Sequence, residues 1–190
     1  FNIFMNPYTK KCYDDKKFAF LSDYVRLVVI EANGGIYFDT DVEVVKSFDD
    51  LLDCKAFFGF ETNEYVNTGV GFGAEAHNPA IIQMLKEYEP LLDGRQGIIG
   101  CPHLNTKALI KCGLKKNGQK QDLKDASVFP AEYFNPYDAP TGKLNKSELT
   151  YSIHWYAASW MDKKQRLRSK ISKPIHRLLG KDFFRKKQKN

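Results

Sequence analysis

A chain of 190 residues with 43% hydrophobic content can bury one sizeable core and needs no second independent domain. Its net charge is +6, but residues 161–190 carry twelve Lys or Arg against two Asp, so the preceding portion is acidic at −4 and would repel a polyanion. With no recognised nucleic-acid motif, nucleic acid is excluded as the expected partner, and no apolar run is long enough to span a membrane.

In chain order, residues 16–33 have helical periodicity, with Phe18, Leu21, Val25, Val28 and Val29 on or near one face. Gly34 or Gly35 is expected to end this helix as a left-handed cap. Asp23 and Arg26 lie three apart and project from the same side. They read either as a surface ion pair worth about 0–1 kcal/mol or as a carboxylate and guanidinium facing neighbouring sugar hydroxyls. The run Ile36-Tyr37-Phe38 reads as a short buried strand that delivers Asp39 and Asp41 at its end. Carboxylates at that spacing often mark a solvated turn, but they also suit Mg²⁺ or Mn²⁺, ions that keep open positions for phosphate oxygens. A metal-bridged diphosphate is the cargo such a site takes.

A β-branched run follows at 42–45, then a short helix near 49–52 and a strand at 55–61. Glu61 ends that strand and either points into the cleft, with a polar catalytic or acceptor-binding role, or lies exposed at the strand terminus. Asn67-Thr68-Gly69 forms a loop entering a glycine-rich strand, and Asn67 reads either as part of an acceptor pocket or as an ordinary turn residue. Asn78-Pro79 supplies an N-cap and a first-turn proline for a helix over 81–92. A further helix is expected from about 103 to 112, with extended segments at 127–129 and 152–156, a pattern that fits an α/β sandwich. The 14% aromatic content suits well-filled sheet packing and carbohydrate-facing rings. Cys12, Cys54, Cys101 and Cys112 match no zinc or redox spacing; they read as reduced, mostly buried thiols of a cytoplasmic protein, with a Cys101–Cys112 bridge left open.

Ser22-Asp23-Tyr24-Val25-Arg26, then Gly34-Gly35-Ile36-Tyr37 and Asp39-Thr40-Asp41, resembles the core signature of the DxD glycosyltransferases of family thirty-two. That family includes capsule and cell-surface polysaccharide transferases and yeast mannosyltransferases; the clostridial glucosylating toxins are more distant. The resemblance implies a GT-A fold with a mixed central sheet flanked by helices, a divalent metal (Mn²⁺ or Mg²⁺) and retention of anomeric configuration. It implies a nucleotide-sugar donor, a uridine diphosphate sugar in preference to guanosine diphosphate mannose, and a saccharide or lipid-linked saccharide acceptor. By the same resemblance Asp39 and Asp41 hold the metal, while Ser22, Asp23, Arg26, Tyr37 and Asp39 face the donor.

His154-Trp155-Tyr156-Ala157-Ala158-Ser159-Trp160 is similar to the family's closing His and Ser-Trp element, which implies donor contacts from His154, Ser159 and Trp160; by itself the segment reads as a buried aromatic strand end. Gly100-Cys101-Pro102 stands where the family carries a Gly-Pro turn, with Cys101 interrupting it. The family's first strand, with an Ile-His-x-x-Trp type sequence, has no counterpart before Phe1, so the expectation is a catalytic domain over 1–160 that lacks its nucleotide-binding strand and binds a nucleotide poorly alone. In the basic tail at 161–190, Leu167, Ile171, Ile175, Leu178 and Leu179 recur near helical spacing, with Phe183 and Phe184 beyond and Pro174 expected to kink the helix. Such a segment either rests on an anionic membrane, at the inner face of the cell membrane, or docks on the enzyme body. A noncatalytic carbohydrate-binding module and a nucleotide-sugar hydrolase are the competing functions.

Overall fold

The computed structural model describes residues 2–157, 172–174 and 176–178. Two helices precede the first strand. α1 (Pro7–Asp14) lies ahead of the expected elements, although Asn6-Pro7 carries the same opening signal as Asn78-Pro79: the Asn6 side chain accepts from the Thr9 N–H at 2.9 Å. α2 (Phe18–Asn33) forms over the expected span with a different face inward. Tyr24, Leu27 and Ile30 are buried with Asp23 and Arg26, while Phe18 and Val29 are exposed. Apolar residues surround most of this helix, so periodicity alone does not select the buried side. At its end the Gly34 N–H bonds the Ile30 carbonyl at 2.8 Å, with φ 67° and ψ −173°. The positive φ is as expected for a glycine, but the extended ψ is not that of a left-handed cap. A Cβ on Gly34 would lie 2.8 Å from the Ala76 nitrogen.

The strands are β1 (Gly35–Tyr37), β2 (Val42–Val44), β3 (Ala56–Gly59), β4 (Phe72–Ala74), β5 (Gln121–Asp122), β6 (Ser127–Phe129), β7 (Tyr137–Asp138), β8 (Lys143–Leu144) and β9 (Ser152–His154). Five of them form a sheet in the order β1-β4-β3-β6-β5, with β3 and β6 parallel and the other pairs antiparallel. β1 was expected to be buried, but it has one neighbour and lies at the sheet edge, so Gly35 and Ile36 are exposed. β3 is buried throughout and takes the centre. β2 leaves this sheet to pair with β9, and β7 pairs with β8.

One face of the sheet packs against α1, α2, α3 (Pro79–Tyr88) and α4 (Cys101–Lys111) through a core that includes Tyr8, Leu27, Phe58, Phe72, Met84 and Leu109. The other face carries Phe57, Phe129 and Val70 against Phe48, Tyr151 and Phe134 of α5 (Ala131–Phe134). This is the mixed sheet flanked by helices that the sequence predicts. Asn78 caps α3 as expected, accepting from the Ala80 N–H at 2.9 Å. α4 starts at Cys101, two residues before the expected start, with Pro102 in its first turn, so the cysteine interrupting the Gly-Pro pair is absorbed as a helical residue. Cys101 and Cys112 are free thiols at opposite ends of α4, about 16 Å apart at 1.5 Å per residue, which removes the disulfide reading.

A buried carboxylate ties α3 to α4. Glu87 accepts from Lys107 at 2.8 Å, from Lys111 and from the Gln83 amide at 3.0 Å. Burial opposes its ionisation, but these donors outweigh burial and hold the carboxyl below its ordinary range. A depressed folded pKa adds stability above the unfolded value, and that stability is lost as pH falls through the folded value. Glu87→Gln is therefore expected to cost about 2 kcal/mol near neutrality. Thermal melts of parent and variant should converge once the pH drops below the carboxylate range.

Most of the tail, including Leu167, Ile171, Ile175, Leu179, Phe183 and Phe184, lies outside the described residues, as do Ser159 and Trp160. Of the described part, Pro174 is helical and Leu178 is 83% exposed. Lys173 donates to the Tyr137 hydroxyl at 2.9 Å and Arg177 to the Gly142 carbonyl at 3.1 Å, contacts with the β7–β8 hairpin. Among the described residues no helix is long and apolar enough to cross a membrane.

Candidate functional site

Asp39 and Asp41 lie where the chain passes from the edge of the five-stranded sheet into the β2–β9 ribbon. The ribbon register sets Val42 opposite His154, which brings the imidazole Nε2 to 3.1 Å from Asp41 Oδ1. The next residues fasten the same carboxylate. Trp155 N–H donates to the Asp41 carbonyl at 3.0 Å, and Ala157 N–H donates to Asp41 Oδ2 at 2.7 Å. Ligand atoms of Asp39, Asp41 and His154 all lie within 4.8 Å of one another.

Asp39 is held from the helix side. Its Oδ1 accepts from Arg26 Nη1 at 2.9 Å and from the Tyr37 hydroxyl at 2.9 Å. Arg26 pairs through Nη2 with Asp23, and its guanidinium lies 5.0 Å from the Tyr37 ring centroid. The Arg26 side chain is 2% exposed and Asp23 is buried, so the surface-pair reading of these two residues does not hold. Burial opposes the charge on Arg26, but its pKa is nonetheless raised, with the Asp39 carboxylate beside it favouring the charged form, so it stays charged. Burial is the largest influence on Tyr37 and pushes it up to about 12, which keeps the phenol a hydrogen-bond donor to Asp39. Ser22 sits beside this phenol and also donates to the Ala19 carbonyl at 2.8 Å.

Gly69 closes the underside. A Cβ there would lie 2.5 Å from Asp39 Oδ2 and 3.1 Å from Asn67 Oδ1, so a side chain at this position would push the Asp39 carboxylate out of place. The Asn67 oxygen accepts from Gly69 N–H at 2.7 Å and from the Cys101 thiol at 3.3 Å, a turn-forming use of the amide. Cys101 itself is buried against Arg26, and burial pushes its thiol up to about 11, so it remains protonated. Glu61 opens a tight loop, its N–H bonded to the Tyr65 carbonyl at 2.7 Å, and its side chain turns toward Tyr156.

Three carboxylates against one guanidinium leave two excess negative charges around Asp39 and Asp41. An anionic diphosphate enters such a place only with a cation. The donor set fits one: two carboxylates and an imidazole suit Mn²⁺ or a similar divalent ion. Among the described residues His154 Nδ1 and Arg26 Nε are buried without a hydrogen-bond partner. A proton on Nδ1 leaves the Nε2 lone pair free for a metal.

Residues 3–58, which hold α1, α2, β1, β2 and both aspartates, match the family described as glycosyltransferase sugar-binding region containing DXD motif. Over 48 residues, 25% of this chain, the sequence is 44% identical to glucan organizing enzyme 1 of Cryptococcus neoformans var. grubii, and the match covers 13% of that protein. The chain thus carries a glycosyltransferase-like DXD region, and its mixed sheet with flanking helices is consistent with a GT-A-like fold.

Proposed function

We propose that this protein is a metal-dependent, retaining glycosyltransferase of the family-thirty-two type, moving a sugar from a nucleotide-sugar donor to a saccharide or lipid-linked saccharide. The observation that carries the reading is the Asp39–Asp41–His154 cluster, abutted by the buried Asp23–Arg26 pair. Asp41 and His154 would hold the cation, with Asp39 assisting, since its Oδ1 is committed to Arg26 and Tyr37. A bound Mn²⁺ or Mg²⁺ supplies Lewis-acid neutralisation of charge on the leaving diphosphate. Asp23 and Arg26 orient the donor sugar, the carboxylate accepting from its hydroxyls and the guanidinium fork fixing the carboxylate in place. Ser22 and Tyr37 hold this edge of the donor pocket. The acceptor hydroxyl bonds to the anomeric carbon on the face that the diphosphate leaves, and its proton passes out with that group.

A uridine diphosphate sugar as donor and a role in cell-surface polysaccharide synthesis rest on the family resemblance. Placement at the cytoplasmic face of a membrane rests on the basic tail. Incubating the full-length protein with uridine and guanosine diphosphate sugars and Mn²⁺ tests the proposal. Release of nucleoside diphosphate should depend on an added saccharide acceptor and stop on chelation. Equal release without acceptor identifies a hydrolase, and saccharide binding with no release identifies a binding module.

A further inference from the structure

Beside His154 lies a second polar cluster that the metal and donor roles leave unused. Glu61 Oε1 accepts from the Tyr156 hydroxyl at 2.9 Å. Asn135, just past the end of α5, donates through Nδ2 to the Glu61 carbonyl at 3.1 Å, while its Oδ1 is buried with no partner among the described residues. Tyr156 has φ 49°, uncommon for a residue with a side chain, and its ring lies 4.1 Å from that of His154. Such a backbone persists where its surroundings over-determine it. Here the neighbouring residues on both sides are fixed: His154 and Ala157 by Asp41, and the Tyr156 hydroxyl by Glu61.

These contacts hold a half-buried carboxylate next to the metal cluster, with Oε2 not taken by Tyr156. A fixed carboxylate beside a carboxamide is a donor and acceptor set that recognises sugar hydroxyls. The negative charge of Glu61 disfavours a phosphate at this wall, so the fitting occupant is a neutral saccharide. We propose that Glu61, Asn135 and Tyr156 form the acceptor-saccharide subsite, in which Glu61 accepts a hydrogen bond from an acceptor hydroxyl and Tyr156 is the positioning residue that fixes its carboxylate. The inference rests on the transferase reading above.

Two variants of the full-length protein test it. Tyr156→Phe removes one hydroxyl, and Glu61→Gln keeps the volume with Tyr156 intact, so the second carries the test should the first unfold. Binding of methyl glycosides of glucose, mannose and galactose is followed by saturation-transfer NMR, and Mn²⁺ binding by electron paramagnetic resonance. The saccharide Kd should rise about tenfold in both variants, the scale of one charge-assisted hydrogen bond. Mn²⁺ affinity should stay at the parent value, and acceptor KM should rise more than kcat falls. Unchanged saccharide affinity in folded Glu61→Gln, or no glycoside binding by the parent, overturns the subsite and leaves the metal assignment standing. Glycoside binding lost in the variants of a parent that takes up no Mn²⁺ supports the subsite while the transferase reading fails.

Discussion

Replacing Asp41 with Asn should leave the fold intact and lower Mn²⁺-dependent sugar transfer by at least about 10²-fold, the loss expected when a principal electrostatic stabiliser is removed. The fold survives because the amide oxygen still accepts from Ala157 N–H, and the backbone bond from Trp155 does not involve the side chain. What disappears is the charge, and with it the reason for a divalent cation to sit beside His154. Circular dichroism checks the fold, and kcat at saturating Mn²⁺ checks the chemistry. Near-parental turnover would contradict the assignment.

Arg26→Ala should be the most damaging single change to stability near the site. The guanidinium is buried between Asp23 and Asp39, and removing it leaves two carboxylates without their countercharge. The expected cost is about 3–5 kcal/mol, the range for breaking a buried ion pair from one side. Transfer should fall as well, because Asp39 loses the partner that aims it. Arg26→Lys restores the charge but not the planar fork, so it should recover stability in part and activity less. Urea unfolding midpoints together with donor KM separate the two effects, and an alanine variant with parental stability would refute the buried-fork account.

Local chemistry announces itself in the sequence, and long-range closure does not. Asp39 and Asp41 are legible because two acids follow a glycine-bounded apolar run, and α3 is legible because Asn78-Pro79 opens it. The same dipeptide at Asn6-Pro7 opens α1, so that helix too is encoded locally. The buried face of α2 is not, since its apolar residues ring the helix and only packing against its neighbours selects Tyr24, Leu27 and Ile30. Nor is the edge position of β1, because a three-residue strand reads alike at a centre or an edge. β5, β7 and β8 are two residues long and carry no period to detect.

The site divides along the same line. Arg26 meets Asp39 from a helix that ends just before it, but Ala157 reaches Asp41 across 116 residues of chain, a proximity created by the β2–β9 pairing. His154 is legible only through family resemblance, which no spacing rule supplies. Tyr156 and Asn135 had no such signal: one sits in an aromatic segment whose backbone turns unexpectedly, and the other at the end of a four-residue helix.

Mn²⁺ titration of the full-length protein and of Asp41→Asn, followed by the resonance of the free ion, tests the central claim most directly. One ion per chain in the parent, with binding lost in the variant, is the predicted result. Equal Mn²⁺ binding by both proteins, or sugar transfer that proceeds undiminished in excess chelator, would contradict it.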